Sequence, residues 1–315
     1  MVSTDPGVNM VDHGAVYKTV IAVLPTPFRD DGSLDDEGLR RLIRYVMAGG
    51  VTVLTINGNT GEFSSLSADE QSRVSDVAIA SADGGATIVA GVGGDLATAM
   101  SASRRAAAAG ASAVMVHDPS GPFRSAAGWS EYYERIAEVV PDTAVIPYIR
   151  DARVGAATLD RLVDRCSNVV AVKYAVPDPI RFGGLVDDLG TDRVAWICGL
   201  AELWAPFFWV ARARGFTSGL AAIAPTVALK MLEQLRAWDE PGINATWNAV
   251  RGLEELRARH NGAANVPVIK EAMHQLGLGG RTVRPPISEL GEADRGEVSR
   301  IIASWSIGIA GEGAA

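Results

Sequence analysis

Lys173 closes the apolar run Asn168-Val169-Val170-Ala171-Val172, at the place where a buried strand should stop. Burial disfavours the ammonium form, so a lysine there can carry a depressed pKa and a free amine near neutral pH. A free amine condenses with a carbonyl carbon to give a Schiff base. The bland alternative is a strand-end lysine that emerges into solvent, so the other residues must decide. Tyr148 ends a second apolar run, Thr143–Tyr148, and could move protons beside such an amine. Taken alone, it reads more simply as a half-buried structural tyrosine. Arg150 and Arg153 follow it, and a guanidinium can hold an acid group by a two-pronged contact. Each can equally be a loop arginine paired with Asp151. A third run ends in Asn57-Gly58-Asn59-Thr60-Gly61-Glu62, where two glycines let backbone N–H groups approach a ligand closely. With the Thr60 hydroxyl they make a pocket for a carboxylate or phosphate, although short glycine motifs also form plain turns. Glu62 reads as structural, a carboxylate past a tight turn that anchors backbone N–H groups. His117, alone at the end of its run, reads as a satisfied polar side chain.

The elements around these residues have a regular rhythm. Short β-branched runs fall at Thr19–Leu24, Thr52–Asn57, Thr87–Val92, Ser112–His117, Thr143–Tyr148, Val169–Lys173, Val194–Cys198 and Phe216–Leu220. They are continuous rather than alternating, as strands covered on both faces are. Amphipathic segments such as Asp35–Ala48, Ala68–Ala82, Leu96–Ala109 and Trp129–Val139 lie between them. Ser67, with Glu70 three residues on, marks a helix start with a capping box. The alternation predicts a (β/α)8 TIM barrel over residues 1–225, preferred to an open doubly wound sheet, which needs fewer strands. Beyond it, Thr226–Trp238, Gly242–Arg259, Val266–Leu276 and Glu292–Ser306 read as helices. Residues 226–315 are therefore expected as a C-terminal helical extension packed on the barrel. Active sites of such barrels lie at the C-terminal ends of the strands, where Lys173, Tyr148 and the Gly58–Gly61 loop all fall.

Composition excludes several classes. The chain has 315 residues, 48% apolar and 21% charged, a globular balance. Its net charge of −8 offers no basic excess for nucleic-acid phosphates. The two cysteines, Cys166 and Cys198, make no metal-ligand or disulfide pattern, and the four histidines are scattered. Neither a metal nor an organic cofactor is expected. The N-terminus lacks the pattern of a signal peptide, and the apolar stretch Leu203–Ala211 is too short to span a bilayer. A cytoplasmic protein with no membrane or nucleic-acid partner is the expectation. A phosphate-binding barrel using the last two strands has little support, because Gly199–Pro206 has no glycine-rich cup and contains Glu202.

Taken together, the motifs resemble the dihydrodipicolinate synthase/N-acetylneuraminate lyase superfamily. They are Leu24-Pro25-Thr26-Pro27-Phe28 with Asp31-Gly32-Ser33-Leu34, the GNTGE segment Gly58–Glu62, Ala90-Gly91-Val92-Gly93, Tyr148, and the VAVK segment ending at Lys173. The resemblance covers most of the chain. It implies a class I lyase, usually tetrameric, in which Lys173 forms a Schiff base with a 2-oxo acid. Tyr148 is then the acid/base, while Thr60 and Gly61, with Asn59 beside them, hold the carboxylate. Within that superfamily, Tyr148-Ile149-Arg150-Asp151, GNTGEFSSL and VRPPISEL (Val283–Leu290) look like 5-dehydro-4-deoxyglucarate dehydratases. Tyr174-Ala175-Val176-Pro177-Asp178 departs from the glycine-rich segment usual there. The synthases' Pro-Tyr-Tyr segment is replaced by His117-Asp118-Pro119-Ser120-Gly121-Pro122-Phe123, and Asn59 stands where they carry threonine. Arg153 matches their substrate arginine by spacing. The first expectation is a sugar-acid dehydratase, the second a pyruvate-dependent aldolase or synthase, and the third a non-catalytic binder of 2-oxo acids.

Overall fold

The computed structural model describes residues 14–119, 121 and 123–305; the polar N-terminal stretch and the end of the C-terminal extension lie outside them. Eight strands, β1 Val20–Val23, β2 Val53–Ile56, β3 Thr87–Val92, β4 Ala113–Val116, β5 Ala144–Ile149, β6 Ala171–Tyr174, β7 Ala195–Cys198 and β8 Gly215–Ser218, close in sequence order into one barrel. Every pairing is parallel, including the β1–β8 seam. The (β/α)8 expectation is thus borne out. Helices α1 Asp36–Ala48, α2 Ala68–Ala82, α3 Leu96–Ala109, α4 Ala126–Glu138, α5 Ala156–Arg165, α6 Pro179–Leu189, α7 Ala201–Val210 and α8 Pro225–Ala237 follow the strands in turn. Beyond them come α9 Glu240–Ala258, α10 Asn265–Gln275 and α11 Glu292–Ser304.

Local signals start these helices where the sequence places them. Asp35, Asp95, Ser125 and Asp178 cap α1, α3, α4 and α6 by accepting a backbone N–H. The Ser67–Glu70 capping box of α2 is present in both directions. Helix α7 is the exception to the amphipathic rule: AELWAPFFWV is apolar nearly throughout, so its sequence carries no helical period. No helix among the described residues is long and apolar enough to cross a membrane. Helix α8 packs on β1 and completes the strand–helix alternation. We therefore propose that the seam between barrel and extension lies after α8 rather than at residue 225.

Strand parity divides the core in two. Ile21, Val53, Val89, Ala113, Met115, Ile146, Tyr148, Ala171, Ala195 and Ile197 form one buried cluster with Tyr17, the filling of the barrel. Their neighbours in sequence, such as Ala22, Leu54, Val114, Val172 and Tyr174, belong to the larger layer between strands and helices. Lys173 shares the inward parity of Ala171, and its register partners are Tyr148 on β5 and Ile197 on β7. The cation therefore points into the barrel rather than out to solvent.

Candidate active site

Lys173 and Tyr148 stand side by side in the top layer of the barrel filling. The Lys173 Nζ lies 4.1 Å from the centre of the Tyr148 ring and 3.6 Å from Met115 Sδ. Lys173 is only 4% exposed, and among the described residues it makes no ion pair. Burial, reinforced by the Arg150 charge, lowers its pKa to about 7. An amine with that value is substantially neutral at physiological pH. Two other titratable side chains near it are held neutral. Cys198, fully buried, has its thiol pushed up to about 12 by burial. His117 puts Nε2 2.9 Å from the Asn57 carbonyl, an arrangement that needs the proton on Nε2. It stacks on Phe63 at 4.1 Å, and burial lowers its pKa to about 4, so the ring stays neutral. It is a satisfied polar residue, as expected.

The Tyr148 hydroxyl accepts a hydrogen bond from Asn59 Nδ2 at 3.3 Å. Burial raises the Tyr148 pKa, so the phenol keeps its proton until something takes it. That contact also brings the Gly58–Glu62 loop against the lysine–tyrosine pair. The loop is one tight turn: the Gly61 and Phe63 amides donate to the Gly58 carbonyl and the Glu62 amide to the Asn59 carbonyl. Thr26 Oγ1 fastens it from the β1 side by donating to the Gly61 carbonyl at 2.7 Å. Gly61 allows this closeness, because a Cβ there would come within 3.0 Å of the Leu24 carbonyl. Among the described residues, neither the hydroxyl nor the amide of Thr60 is engaged in a hydrogen bond, although Thr60 is buried. Both are available to an anion.

The two arginines, which the sequence leaves as competitors, are in different situations. Arg153 is committed to Asp151: its Nε and Nη2 lie 2.8 and 2.7 Å from Oδ2, and its amide donates to Oδ1. Arg124 reaches the same Asp151 carboxylate and also pairs with Asp118 at 2.9 Å. These contacts, Arg153 first, hold the Asp151 carboxyl well below its usual range. Arg150 is exposed and has no hydrogen bond or ion pair among the described residues. Its charge bears on Lys173, Tyr148 and His117 together. Sequence reading missed Met115 and the Asp118–Arg124–Asp151 chain. Met115 looks like ordinary core, and the ion-pair chain joins loops after different strands. Past β7, Glu202 is fully buried and bonded to the Ser218 hydroxyl, with burial and nearby Glu254 raising its pKa to about 8. Its Oε2 has no hydrogen-bond partner. A buried carboxyl of this kind is the opposite of a phosphate cup. No cluster of metal-ligating side chains occurs among the described residues.

A parallel barrel with a buried amine at its strand ends fits an enzyme of the aldolase and lyase group, and the family comparisons place the chain there. The chain belongs to the Dihydrodipicolinate synthetase family, whose profile matches residues 16–305. It is similar to a 4-hydroxy-tetrahydrodipicolinate synthase of Pelobacter propionicus, 28% identical over 93% of this chain and 100% of that one. It is also similar to a probable 5-dehydro-4-deoxyglucarate dehydratase of Methylobacterium radiotolerans, 30% identical over 88% of this chain and 91% of that one. Among solved structures, a dihydrodipicolinate synthase from Oceanobacillus iheyensis superposes with a TM-score of 0.89. It is 36% identical and covers 93% of this chain and 97% of that chain. Relatives named for two different activities thus lie at similar distances from this chain.

Proposed function

We propose that this enzyme forms a Schiff base between Lys173 and a 2-oxo acid and dehydrates a sugar diacid of the 5-dehydro-4-deoxyglucarate type. The observation that carries the chemistry is a buried amine without an acidic partner, set against a tyrosine ring. The neutral Lys173 amine attacks the keto carbon, and loss of water gives a protonated imine. That imine is an electron sink for the carbanion formed when a proton leaves the adjacent CH2. The resulting enamine expels the hydroxyl one carbon further along, and CO2 leaves from the distal carboxylate. Tyr148 moves the protons, its hydroxyl oriented by Asn59. Thr60 fixes the proximal carboxylate through its free hydroxyl and N–H, so that the keto carbon faces the amine; the Gly61 N–H expected beside it is already taken by the Gly58 carbonyl.

Two observations favour the diacid. Arg150, just past the end of β5 and unpaired among the described residues, suits a second carboxylate. Asn59 offers Tyr148 an amide N–H, which can orient the phenol but cannot relay its proton as a threonine hydroxyl could. The second reading, a pyruvate-dependent aldolase or synthase, is favoured by the likeness to the Oceanobacillus iheyensis synthase. A non-catalytic binder is third, since carboxylate capture alone needs neither Lys173 nor Tyr148. We also propose a homo-oligomer, because Ile180 on α6 and Phe207 and Val210 on α7 expose apolar surface. A cytoplasmic enzyme suits Cys166 and Cys198, both free thiols. The deciding experiment compares turnover of 5-dehydro-4-deoxyglucarate with condensation of pyruvate and aspartate semialdehyde. Faster diacid turnover supports the first reading; condensation without diacid turnover replaces it with the second.

A further inference from the structure

The carboxylate-holding loop is fastened by residues more than 200 positions away. Glu62 is the last residue of that loop, and it sits in the left-handed region at φ 57°, which a non-glycine side chain adopts only when its surroundings hold it there. Its carboxylate is buried and meets Lys270 of α10, Nζ to Oε1 at 2.5 Å. Its Oε2 accepts the backbone N–H of Arg284 at 2.9 Å. Lys270 has no exposure at all; its Nζ also donates to the Thr282 carbonyl and lies 4.1 Å from the centre of the Phe28 ring. Arg284 covers the same ring at 4.3 Å. Its guanidinium donates to the carbonyls of Gly32 and Ser65 and grips both oxygens of Glu70. Glu70 in turn caps α2 through the Ser67 amide. A segment of the helical extension thus joins the loop after β1, the loop after β2 and the start of α2.

We propose that Lys270 and Arg284 are positioning residues for the site. Lys270 and the Arg284 N–H act through Glu62, and the Arg284 guanidinium through Gly32, Ser65 and Glu70, to set the Gly58–Glu62 turn so that the Thr60 hydroxyl and N–H receive the carboxylate of the 2-oxo acid. The last part of this inference rests on the function proposed above, and its test separates the two.

Hydrogen exchange on the full-length protein, free of ligand, reads the loop whatever the enzyme does. In Lys270→Met, the Gly61, Glu62 and Phe63 amides should exchange at least tenfold faster than in the parent, while barrel-strand amides hold. Arg284→Lys keeps the N–H to Glu62 and loses the guanidinium grip on Gly32, Ser65 and Glu70, and so reads the other half of the clamp should Lys270→Met fail to fold. Pyruvate trapping with borohydride is the second reading. The half-saturating pyruvate concentration should rise about tenfold in either variant, and the trapping rate at saturation should stay within twofold. The double variant Glu62→Gln/Lys270→Met, which leaves no orphaned charge, should recover part of the loop protection. Loop amides that exchange at the parent's rate in a folded variant would overturn the positioning role, as would unchanged half-saturation. A parent enzyme that traps no 2-oxo acid would instead overturn the proposed chemistry and leave the exchange result to judge the loop.

Discussion

Two lysines are buried among the described residues, each 4.1 Å from an aromatic ring centre: Lys173 in the barrel on Tyr148, and Lys270 in the helical extension on Phe28. Burial lowers both, to about 7 and about 8. What separates them is the company they keep. Lys270 has the Glu62 carboxylate and the Thr282 carbonyl, so its charge is matched where it lies. Lys173 has a thioether, a ring and the repulsive charge of Arg150. A matched buried cation fastens structure, and an unmatched one is destabilising until it gives up its proton and becomes a nucleophile. Depressed pKa alone does not tell a reactive lysine from a structural one; the presence or absence of an acid does.

Substitutions should separate the two lysines. The largest effect should come from Lys173→Ala and Lys173→Arg, both of which should lose turnover to the detection limit, because neither can form the imine. Tyr148→Phe should lose roughly 10²–10⁴-fold in turnover while still trapping substrate, the scale of a lost acid/base group. Near-normal turnover there would move the proton work elsewhere.

Stability should run in opposite directions at the two lysines. Below pH 7, folded Lys173 is protonated at the expense of its burial, so Lys173→Met should raise stability by about 1–3 kcal/mol in urea titrations. The sign follows from linkage. The Lys173 pKa is lower in the folded state, so between pH 7 and 10.5 the unfolded chain holds more protons. The parent's stability from this group therefore rises with pH across that window, and the advantage of Lys173→Met shrinks. Lys270→Met leaves Glu62 buried without its cation and should cost about 3–5 kcal/mol. Equal signs for the two variants would contradict the distinction.

Smaller effects should separate the arginines. Arg150→Ala should raise the KM for the diacid about 10–100-fold and leave pyruvate trapping within about twofold, the scale of one lost charge-assisted contact. Arg153→Ala should change KM less than about twofold, since its partner is Asp151.

How far this was legible in the sequence follows from the range of the interactions. The eight strands showed as short β-branched runs because strands buried on both faces cannot alternate. Ser67 and Glu70 announced α2 because a capping box is local. That Lys173 and Tyr148 lie together was legible because strand ends in a barrel converge on one face. Glu62 was rightly read as an anchor, but its partners lie at Lys270 and Arg284, beyond any local pattern. The choice between Arg150 and Arg153 was open because both flank Asp151 in sequence, and only geometry shows which one Asp151 holds. Helix α7 has no period to read, being apolar on nearly every face.

In the proposed chemistry an unmatched, neutral amine at Lys173 is the nucleophile, and the pH dependence of its reaction tests this most directly. Rates of borohydride-trapped adduct formation with a 2-oxo acid, measured from pH 5 to 9 and mapped by mass, should give one adduct per chain on Lys173. The rate should rise about tenfold per pH unit below about 7 and level off above it, as the amine loses its proton near its lowered pKa. An adduct on another lysine, or a rate still climbing tenfold per unit at pH 9 as for an ordinary exposed lysine, would contradict the account.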